Sequence, residues 1–282
     1  MEQSMVEQLE ALKGYLAEKK QLAVGFSGGV DSAFLLKVAH DVLGENVVAV
    51  TAKVRSLPKR ELDIAREFCR KEGIPHSIVE VDELEIKGFA ENPIDRCYIC
   101  KKVLFGKICE AAARQGMPYI AEASNLDDNG DYRPGLRAVE ELGVLSPLRE
   151  TGIDKKTIRA LAKELGILVW NKPSFACLAT RFVYGEQITA EKLAMVDAAE
   201  QFLAERRFRQ VRVRVHGADA AHLLARIEFG EEDFFKALSV PMCRRIQEKL
   251  KEIGFAFVTL DLGGYRMGSM NDGIEKDEGR AP

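Results

Sequence analysis

The chain has 282 residues, 46% of them hydrophobic and 30% charged, which is enough for one full core and a smaller second domain. Its formal net charge of -3 does not favour a large nucleic-acid footprint, and no stretch is apolar enough for a signal peptide or a membrane span. We therefore expect a cytoplasmic protein in which the six cysteines are thiols or metal ligands rather than disulfides.

Strand and helix patterns alternate through the first part of the chain. A helix is predicted over 3–19, and the apolar run QLAVGF breaks at SGGVDS before a second helical pattern begins at Ser32. The alternation continues as strands at 46–52, 76–81 and 118–124 and as helices at 58–73, 98–115 and 154–166. This order predicts a parallel, doubly wound α/β sheet that is covered on both faces. Asp154 and Gly166 are the expected N-cap and C-terminal stop of the last helix.

The pattern changes near residue 185. The segments that follow are a long helix at 190–206, the alternating strand QVRVRVH, LLARIEF, two short helices and FAFVTLDL. They predict a smaller α+β domain, so we expect two domains, 1–184 and 185–282. The polar tail after about Asn271 is expected to fray.

The turn SGGVDS lies between the first strand and its helix, where backbone N–H groups and the helix dipole favour a bound anion. Gly28 and Gly29 let the backbone approach phosphate oxygens without a Cβ in the way, and the Ser27 and Ser32 hydroxyls can donate to them. The turn lacks the ending of a Walker A loop and the spacing of a dinucleotide fingerprint. A phosphate cradle is the favoured interpretation, and an ordinary tight turn is the alternative.

SGGVDS resembles the PP-loop of the N-type ATP pyrophosphatases, which bind ATP, release pyrophosphate and leave an adenylated substrate. The resemblance implies a domain of the adenine nucleotide alpha hydrolase type over 1–184. It also implies that Thr51 to Lys53 line the adenine base and that Ser124 to Asp128 close the pocket. ATP and Mg2+ would bind through Ser27, Gly28, Gly29, Asp31 and Ser32.

Four longer stretches resemble the LarE family of ATP-dependent sulfur transferases. They are GDYRPGLRAVEELGVLSPL at 130–148, WNKPSFACLATRFVYG at 170–185, VRVRVH at 211–216 and FVTLDLGGYRMGSMN at 257–271. Enzymes of this family adenylate the carboxylates of pyridinium-3,5-biscarboxylic acid mononucleotide and convert them to thiocarboxylates. The product is a precursor of the nickel-pincer nucleotide cofactor. The resemblance therefore implies a small-molecule nucleotide substrate.

The cysteines distinguish two groups within this resemblance. In members that sacrifice their own cysteine sulfur, the donor aligns with Ala176, and Cys177 is the next residue here. Another group carries three cysteines in this arrangement and holds a 4Fe-4S cluster with one iron left open. The resemblance implies that Cys97, Cys100 and Cys177 are the cluster ligands and that the open iron holds sulfide.

Two other interpretations of Cys97 and Cys100 stay open, a redox pair and incidental core thiols. A transfer from Cys177 itself, in a position shifted by one, is a further alternative. Cys69, Cys109 and Cys243 fall within helical patterns, and we expect them to be buried small apolar residues.

The strand QVRVRVH places its valines on one side and Arg212, Arg214 and His216 on the other. On spacing alone, a charged outer face that protects an edge strand is favoured. The family resemblance reverses that order and implies that Arg212 and Arg214 bind the substrate's nucleotide phosphate, with Arg266 as a weaker candidate.

The resemblance also implies four catalytic residues. Asp31 acts at the phosphate loop, Cys177 acts in sulfur transfer, and Lys101 and Arg181 stabilise the carboxylate and its adenylate. Glu200 lies in the middle of a predicted helix, and we expect it to be an ordinary solvated acid, with a site role at a subunit contact as the alternative.

Three other functions compete with sulfur transfer to a small molecule. A tRNA thiolase of the same superfamily is the nearest, but the acidic net charge and the C-terminal resemblance disfavour it. An amidotransferase resembling NAD synthetase would have no use for three convergent cysteines. A non-catalytic nucleotide sensor would release no pyrophosphate. The family also implies a trimer-based homo-oligomer, such as a hexamer.

Overall fold

The computed structural model describes residues 3–130, 134–217 and 222–271. Residues 131–133, which belong to one of the family-like stretches, and the polar tail from 272 lie outside the described residues. The chain divides into two compact units. Unit 1 comprises Met1–Ile86 and Asp95–Phe175, and unit 2 comprises Lys87–Ile94 and Ala176–Pro282. The functional division into 1–184 and 185–282 stays a prediction.

Unit 1 is built on a parallel sheet with the strand order β3-β2-β1-β4. The strands are β1 (Leu22–Gly25), β2 (Val47–Lys53), β3 (His76–Glu80) and β4 (Ile120–Ala121). β4 is shorter than the predicted strand over 118–124. The chain turns away after Glu122, whose N–H donates to the Leu145 carbonyl (2.8 Å), and a 3-10 helix follows at Leu126–Gly130.

Seven helices are described in unit 1, and they cover both faces of the sheet. They are α1 (Gln3–Lys19), α2 (Val30–Leu43), α3 (Lys59–Glu72), α4 (Arg96–Arg114), α5 (Pro134–Glu141), α6 (Pro147–Glu150) and α7 (Lys155–Glu164). Val24 and Ala49 pack among α1, α2, α3 and α7, whereas the alternate residues Ala23 and Val48 pack against α4. This alternation confirms the predicted doubly wound α/β fold.

Local signals explain where two of these helices begin. The Asp154 carboxylate accepts the Thr157 N–H (2.7 Å), so the predicted N-cap of α7 is confirmed. α2 begins at Val30 rather than at Ser32, because the extended backbone of the loop ends at the N-cap Gly29. The phosphate loop is therefore shorter, and its Asp31 and Ser32 belong to the first turn of the helix.

Unit 2 is a smaller α+β unit, as predicted. Its elements are α8 (Ala190–Glu205), β5 (Val211–His216), β6 (Leu224–Phe229), α9 (Glu231–Ala237), α10 (Val240–Ile253) and β7 (Phe257–Leu260). β5 pairs antiparallel with β6, which pairs parallel with β7. α10 has 14 residues and is longer than the short helix expected. Among the helices of the described ranges, none has the length and apolar character needed to cross a membrane.

Candidate active site

The phosphate loop joins the end of β1 to the start of α2, a helix of 14 residues. The Ser32 hydroxyl donates to the Gly29 carbonyl (3.2 Å) and accepts the Ser27 N–H (3.3 Å), while the two serine hydroxyls lie 3.1 Å apart. Because the Ser32 proton goes to Gly29, the Ser27 hydroxyl is the donor between the two serines. The loop thus gathers hydroxyls and N–H groups at the positive end of a helix, an arrangement suited to phosphate.

Gly28 is required by the packing of this loop. Its φ of +74° lies in the region that favours glycine. A Cβ there would also stand 3.1 Å from the Glu61 carbonyl oxygen and 3.4 Å from Ala65 Cβ. The loop therefore rests directly on the first turns of α3, and a side chain at this position would lift it away.

Asp31, in the first turn of α2, carries an acceptor oxygen that is not satisfied within the protein. Its Oδ2 accepts from Lys155 at the start of α7. Its Oδ1 is buried and has no hydrogen-bond partner among the residues that the structure describes. Burial raises the pKa of Asp31, against the lowering effect of Lys155. Oδ1 is thus placed to accept from a donor or to bind a cation beside the phosphates.

Lys172 also belongs to this site, although the sequence analysis assigned it no role. Its ammonium donates to the Gly28 carbonyl (3.1 Å) and to Glu61 Oε2 (2.6 Å). Arg159 on α7 donates to the carbonyls of Trp170 and Lys172, both at 2.8 Å, and so fixes the loop that carries this lysine. The only signal in the sequence was the position of Lys172 within the stretch WNKPSF.

Thr51 and Ser124, the two residues expected beside the nucleotide, are both buried. The Thr51 hydroxyl donates to the Phe26 carbonyl (2.7 Å) and so supports the strand that enters the phosphate loop. Ser124 donates to Glu122 (2.6 Å), whose other oxygen accepts from Ser146 at the same distance. Both hydroxyls are thus bonded within the protein, and their contact with adenine stays a prediction.

Cys97 and Cys100 are the second and fifth residues of α4, three residues apart and half-buried. That spacing places both thiols on one side of the helix, at its positive end. Lys101 lies against Gly135 of α5, where a Cβ would stand 2.7 Å from Lys101 Cδ. Cys177 is exposed and belongs to unit 2.

The other three cysteines differ from one another. Cys69 is buried as expected, and burial raises its pKa to about 12. Cys109 is half-buried. The expectation that Cys243 is buried is wrong, because this residue is exposed on α10, where its thiol donates a hydrogen bond to the Ala237 carbonyl. Within the described ranges, no three or more His, Cys, Asp or Glu side chains form a group that could hold a metal ion. The cluster ligation of Cys97, Cys100 and Cys177 stays a prediction.

Arg181 and Glu200 form a buried ion pair in unit 2. Arg181 is fully buried and donates to both Glu200 oxygens, at 2.7 and 3.1 Å, and Glu200 also accepts the Val213 N–H (3.0 Å). The expectation that Glu200 is solvated is therefore wrong, because the helix face that carries it packs on β5. Arg181 also donates to the carbonyl of Ala176 (3.1 Å), and so it holds the backbone that carries Cys177.

Arg212 and Arg214 do not form a charged outer face, because they are only 6% and 5% exposed. Arg214 donates to Glu228 (2.7 Å) and Ser269 (3.0 Å). Burial, together with nearby Arg181, lowers the pKa of Arg212. The strand alternation was predicted correctly, but the polar face of β5 is covered by protein.

His216 and Arg266 complete the set of predicted residues in unit 2. His216 Nε2 accepts from Arg226 (3.0 Å), so its ring is neutral with the proton on Nδ1, and burial lowers its pKa. Arg266 is exposed. The binding of a substrate phosphate by Arg212, Arg214 and Arg266 stays a prediction.

Comparison with known proteins agrees with this geometry. Residues 1–132 match a PP-loop domain family. The chain is 37% identical to the pyridinium-3,5-bisthiocarboxylic acid mononucleotide synthase of Lactiplantibacillus plantarum, over 93% of this chain and 92% of that one. The chain belongs to the LarE family. The resemblance noted in the sequence is thereby confirmed, as is ATP binding by the PP-loop domain.

Two further relatives mark the extent of the family and of the superfamily. An uncharacterized protein of Synechocystis is 39% identical over 95% of this LarE-family chain and 98% of its own length. A glutamine-hydrolyzing GMP synthase polypeptide of Thermoplasma volcanium is 27% identical over 66% of each chain. The likeness to GMP synthase is thus partial, whereas the likeness within the LarE family spans both units.

The buried pair predicts a pH-dependent stability. Burial by itself would raise the pKa of Glu200, but Arg181 holds it below the usual value, so the charged form stabilises the fold. That stability is present above the ordinary glutamate pKa and is lost as the pH falls through the lowered one. Glu200→Gln should cost about 3–5 kcal/mol of unfolding free energy at pH 7, because it leaves Arg181 buried without its partner.

Urea denaturation between about pH 7 and about pH 3 measures this effect, and the deficit of the variant should shrink as the pH falls. The matched control is Glu252→Gln, which removes an exposed partner of Lys249 and should change stability little at any pH. A Glu200→Gln protein as stable as wild type at neutral pH would contradict the buried pair.

Proposed function

We propose that this protein adenylates the carboxylates of pyridinium-3,5-biscarboxylic acid mononucleotide and converts them to thiocarboxylates, in the synthesis of the nickel-pincer nucleotide cofactor. The observation that carries the proposal is 37% identity over 93% of the chain to the L. plantarum synthase, together with a phosphate loop at the start of α2. The protein is accordingly an ATP-dependent sulfurtransferase.

The first step joins substrate and nucleotide. A substrate carboxylate oxygen attacks the α-phosphorus of ATP, the bond to the β-phosphate bridging oxygen breaks, and pyrophosphate leaves. The hydroxyls and N–H groups of the phosphate loop receive the negative charge of the leaving group. Mg2+ fits beside them, because Asp31 Oδ1 is a buried carboxylate oxygen without a partner among the described residues. When bound, the ion would neutralise part of the phosphate charge.

The second step replaces oxygen by sulfur. Hydrosulfide attacks the acyl carbon of the adenylate, the carbon–oxygen bond to phosphate breaks, and AMP leaves with a thiocarboxylate as product. We propose that Cys97, Cys100 and Cys177 hold a 4Fe-4S cluster, which when bound would supply an open iron for sulfide. The chemistry of the donors fits, because cysteine sulfur is the usual ligand of such clusters and Cys97 and Cys100 lie three residues apart near the start of α4.

Arg212 and Arg214 are the proposed site for the phosphate of the mononucleotide. Buried guanidinium groups bind phosphate more strongly than exposed ones, because water does not compete for the charge. Arg214 Nε is buried without a partner among the described residues, so this side chain retains one donor for a phosphate. Arg214 Nη2, on the same edge of the guanidinium as Nε, already donates to Glu228 and Ser269. A phosphate that bound both nitrogens would have to compete with these two residues.

The remaining roles follow from the family. Lys101 and Arg181 would act on the adenylate, with Arg181 doing so through the loop that it holds. Exposed Arg266 would assist at the substrate phosphate. A trimer-based homo-oligomer and a cytoplasmic location also remain predictions of the sequence.

The adenylation step predicts that Asp31 is essential for turnover. Asp31→Asn keeps the size of the side chain and removes its charge, so pyrophosphate release with ATP and the mononucleotide should fall ~100-fold or more. The control is Asp63→Asn on α3, whose carboxylate is exposed and bonds Lys59. Circular dichroism should find both variants folded. Wild-type turnover by Asp31→Asn would contradict the role of the phosphate loop.

The proposed cluster predicts three individually essential cysteines. Replacing Cys97, Cys100 or Cys177 by serine should abolish bound iron and acid-labile sulfide in anaerobically purified protein, because a cluster with two thiolates is labile. Cys109→Ser and Cys243→Ser are the controls and should retain both. Intact-protein mass after turnover tests the alternative. A Cys177 lighter by the mass of hydrogen sulfide, with one transfer per chain, would overturn the cluster.

A further inference from the structure

The Lys172 ammonium contacts the phosphate loop by donating a hydrogen bond to a backbone carbonyl oxygen of the loop. Its Nζ lies 3.1 Å from the Gly28 carbonyl and 2.6 Å from Glu61 Oε2, and the side chains of Lys172 and Glu61 are largely buried, at 17% and 7% exposure. Lys172 and Gly28 are 144 residues apart in the chain. A buried contact between such distant segments fixes the position of one against the other.

The contact fixes the orientation of one peptide group in the loop. The Gly28 carbonyl and the Gly29 N–H belong to the same planar trans peptide, so they point in opposite directions. With the carbonyl held by Lys172, the Gly29 N–H points to the other side, where it lies 3.4 Å from the Ser27 hydroxyl. A peptide between two glycines can otherwise rotate with little steric cost. The rotated peptide would present an oxygen to the phosphates and repel them.

Lys172 is itself held from two sides. Glu61 on α3 binds its ammonium, and the Glu61 carbonyl lies 3.1 Å from the place of a Cβ on Gly28, so the same residue supports the loop. Arg159 on α7 binds the Lys172 carbonyl at 2.8 Å. Lys172 therefore links α3, α7 and the phosphate loop by hydrogen bonds and fixes their relative positions.

We propose that Lys172 and Glu61 form a clamp that orients the Gly28–Gly29 peptide for polyphosphate binding, with Lys172 as a positioning residue and not a phosphate ligand. The clamp deepens the proposed function, and it rests on ATP binding at the phosphate loop. It assigns to Glu61 a part in nucleotide affinity although its carboxylate bonds Lys172 and would touch no phosphate.

Isothermal titration calorimetry with ATP, inorganic pyrophosphate and AMP tests the clamp on the whole protein. Lys172→Met and Glu61→Gln should each weaken ATP and pyrophosphate binding roughly tenfold, because either change frees the peptide. AMP affinity should change less than about twofold, since the orienting effect is exerted on the loop that receives the other phosphates. Lys172→Arg should recover part of the affinity. If Lys172 had a purely structural role, its replacement would weaken the binding of pyrophosphate and of AMP to the same extent.

Two controls keep the result independent of folding. Single variants leave one buried charge unpaired, so the double variant Glu61→Gln/Lys172→Met removes both partners and should recover thermal stability while its ATP affinity stays low. Lys163→Met on α7 removes a lysine that lies 5.1 Å from the Trp170 ring centre instead of on the phosphate loop. It should bind ATP and pyrophosphate as wild type does.

Each other outcome overturns the clamp. Weak binding by Lys172→Met with unchanged or tighter binding by Glu61→Gln would make Lys172 a direct phosphate ligand. Unchanged affinity in both variants would leave the contact as packing alone. Failure of the wild-type protein to bind ATP would contradict the proposed function itself, whereas wild-type binding with unaltered variants contradicts the clamp only.

Discussion

The turn from β1 into α2 has to leave helix N–H groups open to an anion while it packs against α3. Only a residue without a Cβ fits at Gly28, since its backbone has a φ of +74° and Glu61 lies beside it. The parallel sheet supplies the position of the turn, because strand ends and helix starts meet at one edge. Asp31 and Lys172 then add charge to that edge from α2 and from the loop after α7.

Buried charge organises unit 2 in a different way. Ion pairs such as Arg181–Glu200 bring a desolvation cost that their attraction does little more than offset, so they add little net stability over apolar residues. What these ion pairs contribute is a fixed position for the backbone and side chains around them. Arg181 reaches the Ala176 carbonyl and so orders the backbone beside Cys177, and Arg214 holds Ser269 and Glu228 over the polar face of β5. Under the proposed function, Cys177 and a phosphate site at the β5 arginines would both need such rigid surroundings.

Local patterns predicted the elements well, because helix and strand periods are local properties. The Asp154 cap, the phosphate loop and the two-residue alternation of β5 were all visible in the sequence. The partners of side chains were not. Glu200 was expected in solvent, and the reach of Lys172 to Gly28 joins residues 144 apart. Such contacts depend on how distant segments pack, and periodicity carries no information on that.

Oxygen tracing tests the central claim, transfer of sulfur through an acyl adenylate, most directly. The mononucleotide substrate would carry 18O in its carboxylates, and the AMP formed with ATP and sulfide would be analysed by mass spectrometry. Attack of the carboxylate on the α-phosphorus, followed by loss of AMP, leaves one carboxylate oxygen on the phosphate. The account predicts one 18O in AMP for each thiocarboxylate made. Unlabelled AMP, or labelled phosphate with ADP, would contradict it.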